Sequence, residues 1–173
     1  MQGKTVRLRA IELDDIDLLY EMENDVANWA VSDTQMPFSR YTMEQYVLSC
    51  GNQDIHTLKQ LRLMICDPSG QTVYGSIDLF DFNPIHQRAA VGVLIRPAYR
   101  KRGYATEALQ LLIRYATDIL QLKQLYCQVD ASNLPSLRLF EKQGFVQSGV
   151  YRSWHKTSAL EWEDEYLLQR ILF

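Results

Sequence analysis

Apolar and polar residues alternate along this chain with two periods, close to 3.6 and 2 residues, which indicate helices and strands respectively. The strongest helical pattern starts at Ala105, where apolar residues recur at i, i+3, i+4, i+7 and i+11 and continue to Leu120. A second helical pattern covers 12–23, with acidic residues on its polar side. Weaker patterns predict helices over 42–50 and 133–142, and Gly144 caps the latter.

Strand patterns separate these helices and cover 5–9, 61–66, 72–82, 88–95, 125–129, 145–151 and 165–172. The sequence DPSG at 67–70 is favourable for a tight turn, so the strands on either side of it form a hairpin. The run RAAVGVLI, 88–95, is apolar at both alternating sets of positions, which predicts a central strand covered on both faces. Residues 24–40 interleave aromatic and polar residues and predict an irregular loop with room for a short helix.

The resulting order of elements is β, α, α, β, β, β, α, β, α, β, β. Hairpins precede a β-α-β-α section, so the fold class is α/β (α+β), with a central mixed sheet flanked by helices. The chain has 173 residues, with no internal repeat and no Gly/Ser-rich linker, which predicts one domain over 1–173.

Composition disfavours some classes of function but does not identify one. Hydrophobic residues make up 47% of the chain and charged residues 23%, as in soluble globular proteins, and a net charge of -3 disfavours general nucleic-acid binding. No apolar run reaches the roughly 18 residues of a membrane span, and the first residues lack the apolar core of a signal peptide. Three cysteines lie in apolar patterns and the three histidines show no metal-ligand spacing, so we expect a cytoplasmic protein with reduced thiols and no metal.

The stretch RPAYRKRGYATEAL, 96–109, places Arg100, Lys101 and Arg102 directly before Gly103 and the strongest helix. Like charges repel, so an anion bound among these cations would stabilise the segment. A strand that enters a helix through a glycine presents unpaired N–H groups and the positive end of the helix dipole, and both favour a phosphate. The sequence therefore predicts a diphosphate site at this junction. The alternative is a solvated helix entrance.

Two common phosphate-binding patterns do not occur: G-x-x-x-x-G-K-[ST] has no match, and G-x-G-x-x-G finds only Gly103. A third pattern, [RQ]-x-x-G-x-[GA], matches RKRGYA at 100–105, with the apolar strand VGVLI upstream. Downstream, ASNLPS at 131–136 leads into LFEKQGF. On these segments the chain resembles the GCN5-related N-acetyltransferases (GNAT), and within them the spermidine/diamine and ribosomal-protein N-terminal acetyltransferases.

The resemblance implies that acetyl-CoA binds in the splay after the central strand. In the family that strand pairs with the pantetheine arm, a role that falls here to Val93, Leu94 and Ile95. The asparagine of the second segment is Asn133, whose amide can donate to and accept from the pantetheine amides, with Ser136 assisting. Asn133 also suits the alternative role of a helix cap. The implied pyrophosphate loop consists of Arg100, Lys101, Arg102, Gly103, Tyr104, Ala105 and Thr106.

The resemblance further implies direct attack of an amine on the thioester, which requires a proton acceptor because an alkyl amine has a pKa of about 10.4. Many relatives carry a glutamate on the central strand and a tyrosine on the helix after the asparagine; Ala90 and Phe140 occupy these positions here. The nearest strand carboxylates are Asp78 and Asp81, on opposite faces of their strand by alternation, and we favour Asp81 as base. Tyr126 is the candidate acid. Water serves either role as the alternative, and the acid is dispensable if the thiolate leaves unprotonated.

The function expected from the resemblance is transfer of an acetyl group from acetyl-CoA to a primary amine of a polyamine, another small molecule or a protein N-terminus. A non-catalytic acyl-CoA-binding sensor is the alternative, because the usual glutamate and tyrosine are replaced. The expected partners are a small-molecule or peptide amine, with no nucleic acid and no membrane. Assembly into a homodimer or a larger homo-oligomer stays open.

Overall fold

The computed structural model describes residues 1–32, 34–157 and 160–173 and contains one seven-stranded sheet in the order β1-β2-β3-β4-β5-β7-β6. Neighbouring strands pair antiparallel except for β4 and β5, which run parallel, so the sheet is mixed as predicted. The strands are β1 (Arg7–Ala10), β2 (Leu61–Cys66), β3 (Val73–Asn83), β4 (Arg88–Ile95), β5 (Gln124–Asp130), β6 (Val146–Lys156) and β7 (Trp162–Ile171).

Helices cover both faces of this sheet. The helices are α1 (Ile16–Glu23), α2 (Val26–Ser32), α3 (Arg40–Asn52), α4 (Ile55–Leu58), α5 (Tyr104–Asp118) and α6 (Leu134–Lys142). Along β2, Leu63 and Ile65 pack into a core with α5 and α6, whereas Met64 and Cys66 pack into a second core with α1 and α3. This alternation is what a strand buried on both faces requires. The helix that the sequence indicated most strongly, α5, accordingly buries a full apolar stripe against the sheet.

The predicted order of long elements is confirmed, and the differences lie in short ones. Residues 24–40 contain the helix α2, which local hydrogen bonds support: the Trp29 indole donates to the Glu23 carbonyl at 2.9 Å, and the Asn24 side chain bonds both backbone groups of Phe38. The one-turn helix α4 was not predicted. The last hairpin is longer than predicted, because β6 continues to Lys156 and β7 begins at Trp162.

Two further predictions, about the cysteines and about membrane-spanning helices, can be compared with the structure. The three cysteines carry free thiols, with Cys66 and Cys127 buried and Cys50 partly buried. Among the described residues, none of the helices has both the length and the apolar character that crossing a membrane requires.

Candidate functional site

The strands β4 and β5 diverge in the middle of the sheet. Their parallel pairing covers only Arg88–Ala90 and Gln124–Tyr126. Beyond this point β4 continues to Ile95 paired with β3, and β5 continues to Asp130 paired with β7. A wedge therefore opens between the two strands, and the main chain of β4 from Val91 onward faces it.

A cleft of about 140 Å³ lies in this wedge. Of the predicted coenzyme residues, Val93 contributes from β4, and Asn133 and Ser136 contribute from the start of α6. The Asn133 side chain accepts a hydrogen bond from the Ser136 N–H at 3.3 Å, so it also caps α6. The residues that line the cleft are Val91, Gly92, Val93, Gln128, Val129, Asp130, Asn133, Ser136, Phe140, His155 and Glu165.

The start of α5 has the geometry of an anion site. Gly103 is the N-cap and has φ of 84°, a left-handed conformation that glycine adopts without the penalty of a side chain. A Cβ at this position would meet no atom within 4 Å, so the space above the glycine is open. The next three residues, Tyr104, Ala105 and Thr106, form the first helical turn, whose N–H groups have no acceptor inside the helix.

Cations surround this helix start, and two contacts fix the position of the chain that leads into it. Arg100, Lys101 and Arg102 are exposed, and the Arg100 Nε donates to the Ile95 carbonyl at 2.9 Å, which ties the basic loop to the end of β4. The Tyr104 ring stacks on Tyr74 with centroids 4.1 Å apart. The predicted loop and the predicted strand residues therefore meet at one end of the wedge.

The carboxylate in the first turn of α5, Glu107, binds the segment before β1. It accepts hydrogen bonds from the amide and hydroxyl of Thr5 and from the amide of Lys4. Burial opposes ionisation of Glu107, but these hydrogen bonds lower its pKa overall. The contacts anchor the start of α5 to the sheet edge.

The cleft also contains three ionisable side chains that the sequence did not reveal: Asp130 on β5, His155 on β6 and Glu165 on β7. The His155 Nε2 lies 3.2 Å from the Glu165 Oε1 and 3.5 Å from the Asp130 Oδ1. Gln128 donates to the other oxygen of Glu165 at 3.0 Å. The ligand-type atoms of the three residues lie within 4.8 Å of one another, a spacing also seen around bound cations. No spacing motif could have found them, because three separate strands supply them.

The two catalytic candidates from the sequence, Asp81 and Tyr126, lie next to each other. The Tyr126 hydroxyl donates to the Asp81 Oδ2 at 3.5 Å. Burial raises the pKa of Tyr126, and the negative charge of Asp81 raises it further. Tyr126 is the last residue of β5 that pairs with β4, and neither candidate belongs to the residues that line the cleft.

Alternation does not hold at Asp81. The pairing of β3 with β4 shifts between Phe80 and Asn83, and Asp81 has φ of 49°. Phe80 pairs with Ala90, which pairs with Tyr126, so these residues share a face of the sheet with Asp78. The Asp81 side chain nevertheless contacts Tyr126, which lies on the face of Asp78. The prediction that Asp81 lies opposite Asp78 is therefore wrong, because the bulge rotates the chain.

Asp78 has a structural role. It is buried and accepts from the Arg62 Nε at 2.6 Å, and Arg62 also pairs with Glu23 of α1. Burial raises the pKa of Asp78, and Arg62 counteracts part of that shift. The ion pairs connect the sheet to α1.

A second cavity of about 140 Å³ lies beside β4, on the side of α1 and α2. Leu94 contributes to it, together with the acidic residues Glu21 and Asp25. The predicted strand residues Val93 and Leu94 therefore line two different cavities.

Comparison with known proteins agrees with this geometry. Residues 5–146 match the family model described as an acetyltransferase (GNAT) domain. The spermidine N(1)-acetyltransferase of Escherichia coli is 27% identical over 152 residues, which cover 84% of this chain and 75% of that protein. The probable N-acetyltransferase YjcK of Bacillus subtilis is 29% identical over 179 residues, covering 97% and 94%.

The fold has close counterparts among solved structures. The spermidine N-acetyltransferase of Vibrio cholerae, crystallised with CoA and spermine, superposes with a TM-score of 0.86 at 22% identity, over 98% of this chain and 97% of that one. The family model covers well over half of the chain. The chain belongs to the GNAT family of acetyltransferases.

Proposed function

We propose that this enzyme transfers an acetyl group from acetyl-CoA to a primary amine of a polyamine, another small molecule or a protein N-terminus. The main observation behind this proposal is that the wedge between β4 and β5 ends at the start of α5, which begins at a glycine and is flanked by cations. An extended arm can lie in the wedge as an additional strand, and a diphosphate can bind the first amides of the helix at its end. Acetyl-CoA has these two parts in this order.

The coenzyme site proposed on this basis runs along the wedge to the start of α5. The main chain of Val93, Leu94 and Ile95 binds the pantetheine arm, and Asn133 with Ser136 contacts it from α6. A backbone N–H of β4 polarises the thioester carbonyl as negative charge develops on its oxygen. The diphosphate lies on the amides and cations of Arg100, Lys101, Arg102, Gly103, Tyr104, Ala105 and Thr106.

The relatives support an amine acceptor, and a polyamine in particular. Those from Escherichia coli and Vibrio cholerae carry spermidine in their names, and the Vibrio cholerae structure contains spermine. Acidic side chains in both cavities, such as Glu21 and Glu165, suit a polycation. A structure of the Vibrio cholerae enzyme is described as dodecameric, and we propose a homo-oligomer for this chain as well.

Substitution of the loop glycine tests the coenzyme site. Gly103→Glu places a negative charge beside the diphosphate and a side chain at φ of 84°, so we expect CoA binding, measured by calorimetry, to weaken at least 100-fold. Gly70→Glu is the matched control, because Gly70 has φ of 85° in the β2–β3 turn and receives the same charge. Unchanged affinity of Gly103→Glu for CoA contradicts the proposed loop.

An activity assay separates the enzyme from the acyl-CoA-binding sensor. Wild-type protein with acetyl-CoA and a panel of amines, spermidine included, should release free CoA that a thiol-reactive dye detects. CoA binding without acetyl transfer to any amine of the panel favours the sensor.

A further inference from the structure

The cluster Asp130–His155–Glu165 lies in the same cleft as the proposed pantetheine contacts. We propose that His155 is the general base that takes the proton from the substrate ammonium, and that Asp130 and Glu165 position it and attract the cation. This inference rests on the proposed amine acetylation and identifies the group that performs its proton transfer.

The location of the cluster is the first argument. His155, Asp130 and Glu165 line the cleft together with Val93, whose main chain is the proposed contact of the acetyl-bearing arm. An amine that attacks the thioester must enter this cleft. His155 keeps 21% of its side-chain surface exposed, so it is accessible from there.

The composition of the cleft is the second argument. Ala90 on β4 and Phe140 on α6 cannot transfer a proton. Among the described residues that line the cleft, the titratable side chains are Asp130, His155 and Glu165. The chemistry of this cleft therefore depends on these three.

Charge is the third argument. With His155 neutral, the cluster carries a charge of -2, which attracts an ammonium group. After proton transfer the imidazolium lies between two carboxylates, at 3.2 Å from Glu165 and 3.5 Å from Asp130, and opposite charges at this range stabilise it. Gln128 donates to Glu165 at 3.0 Å and fixes that carboxylate. The same two side chains thus favour both the arrival of the cation and the loss of its proton.

The reaction balances with one proton released. The substrate R–NH3⁺ gives a proton to His155 and becomes R–NH2. Its lone pair forms the C–N bond to the acetyl carbon, and the C–S bond breaks with its electron pair on sulfur. The second proton passes from nitrogen to the CoA thiolate, which leaves R–NH–CO–CH3 and CoA–SH. His155 then returns its proton to solvent.

The test substitutes His155 and uses spermidine and acetyl-CoA as probes. His155→Gln keeps a polar side chain of similar size but cannot act as a base at neutral pH, so we expect kcat at pH 7 to fall on the order of 100-fold. CoA affinity by calorimetry should stay within twofold of wild type. His56→Gln, at an exposed histidine on α4, is the matched control and should keep wild-type kcat.

The pH profile separates proton transfer from a structural effect. In His155→Gln, kcat/KM for spermidine should keep rising with pH toward the pKa of the amine, about 10.4 for an alkyl amine, because only amine that is already neutral reacts. The wild-type enzyme should reach its plateau at lower pH. The loss should also be smaller for an acceptor with an α-amino group, whose pKa is about 8.

A second variant covers the case in which His155→Gln does not fold. Asp130→Asn removes one carboxylate beside His155, which lowers the pKa of the imidazole, so the acidic limb of the kcat profile should move to lower pH and KM for spermidine should rise. Wild-type pH profiles in His155→Gln or Asp130→Asn overturn the proposal while acetyl transfer stands.

Two further outcomes separate this proposal from others. Wild-type activity that a chelator abolishes and a divalent metal restores overturns it in favour of a metal site at the cluster. Wild-type protein that binds CoA but acetylates none of the amines overturns the proposed function, and this inference with it.

Discussion

Asp81 shows how strongly a single backbone conformation decides the role of a side chain. Its φ of 49° lies at the break in pairing between β3 and β4, and it directs the carboxylate to the Tyr126 hydroxyl. Aspartate adopts this left-handed region more readily than most residues. Asp81 therefore stays a candidate base only on the sequence argument. The side chain that it contacts in the structure is Tyr126.

The contact predicts a measurable coupling between the two side chains. The negative charge of Asp81 contributes to the raised pKa of Tyr126 after burial, so Asp81→Asn should lower that pKa without removing the effect of burial. NMR titration of ¹³Cζ-labelled tyrosine measures it, with Asp118→Asn as control. A Tyr126 pKa that does not move contradicts the contact.

The same variant decides between the two candidate bases. If Asp81 takes the substrate proton, Asp81→Asn changes the pH–rate profile. If His155 does, His155→Gln changes it instead, and kcat/KM then keeps rising toward the pKa of the amine. Both profiles can be recorded with spermidine under identical conditions.

At the scale of elements, the close approach of β3 to β4 controls the proposed coenzyme strand. A Cβ on Gly75 would lie 2.0 Å from the Leu94 carbonyl oxygen, far inside van der Waals contact. Only glycine at this position lets β4 stay paired with β3. The other edge of β4 opens toward the wedge.

Gly75→Ala should therefore displace β4. We expect the free energy of unfolding to fall by about 1–3 kcal/mol, as in other overpacked sites, and CoA affinity to fall with it, measured by urea denaturation and calorimetry. Gly149→Ala is the matched control on β6, where the added Cβ would lie 3.7 Å from Leu167 in ordinary contact. Equal effects of the two substitutions would contradict this role of Gly75.

At the scale of the whole molecule, ion pairs join the sheet to the helices that cover one of its faces. Arg9 on β1 binds Asp15 with two hydrogen bonds of 2.6 and 2.8 Å, and Asp15 precedes α1. Burial opposes ionisation of Asp15, but the hydrogen bond from Arg9 and that from the Glu12 amide lower its pKa overall. The pair thus connects the edge strand to α1.

This pair predicts a pH-dependent stability. Because the pKa of Asp15 is lower in the folded than in the unfolded state, its contribution is present above the unfolded value of about 3.9 and is lost as the pH falls through the folded value. Asp15→Asn should cost about 1.5–3 kcal/mol at pH 7, the range for hydrogen bonds to charged groups, and less at pH 2–3. Thermal unfolding at both pH values measures this.

The control for Asp15→Asn lies nearby. Asp17 pairs with Arg40, but both side chains are more than half exposed, so Asp17→Asn should change stability little. A cost of Asp15→Asn that is as large at pH 2 as at pH 7 would contradict the ion pair as its source.

The sequence by itself determined the features that depend on neighbours along the chain. The amphipathic stripe of α5, the glycine and cations at its start and the apolar strand before it are all contiguous, because helix periodicity and unpaired first-turn amides are local properties. The family resemblance and the predicted coenzyme site followed from these segments. The cap at Asn133 is local in the same sense.

Only the tertiary structure decided which side chains meet in the cleft. Asp130, His155 and Glu165 come from three strands, and the pairing of β6 with β7 shifts between Tyr151 and His155. Tyr151 pairs with Glu165 and His155 with Glu163, so β6 contains two extra residues at this break, and they bring His155 within reach of Glu165. The sequence contains no sign of that bulge, and for this reason the position of His155 could be known only from the folded chain.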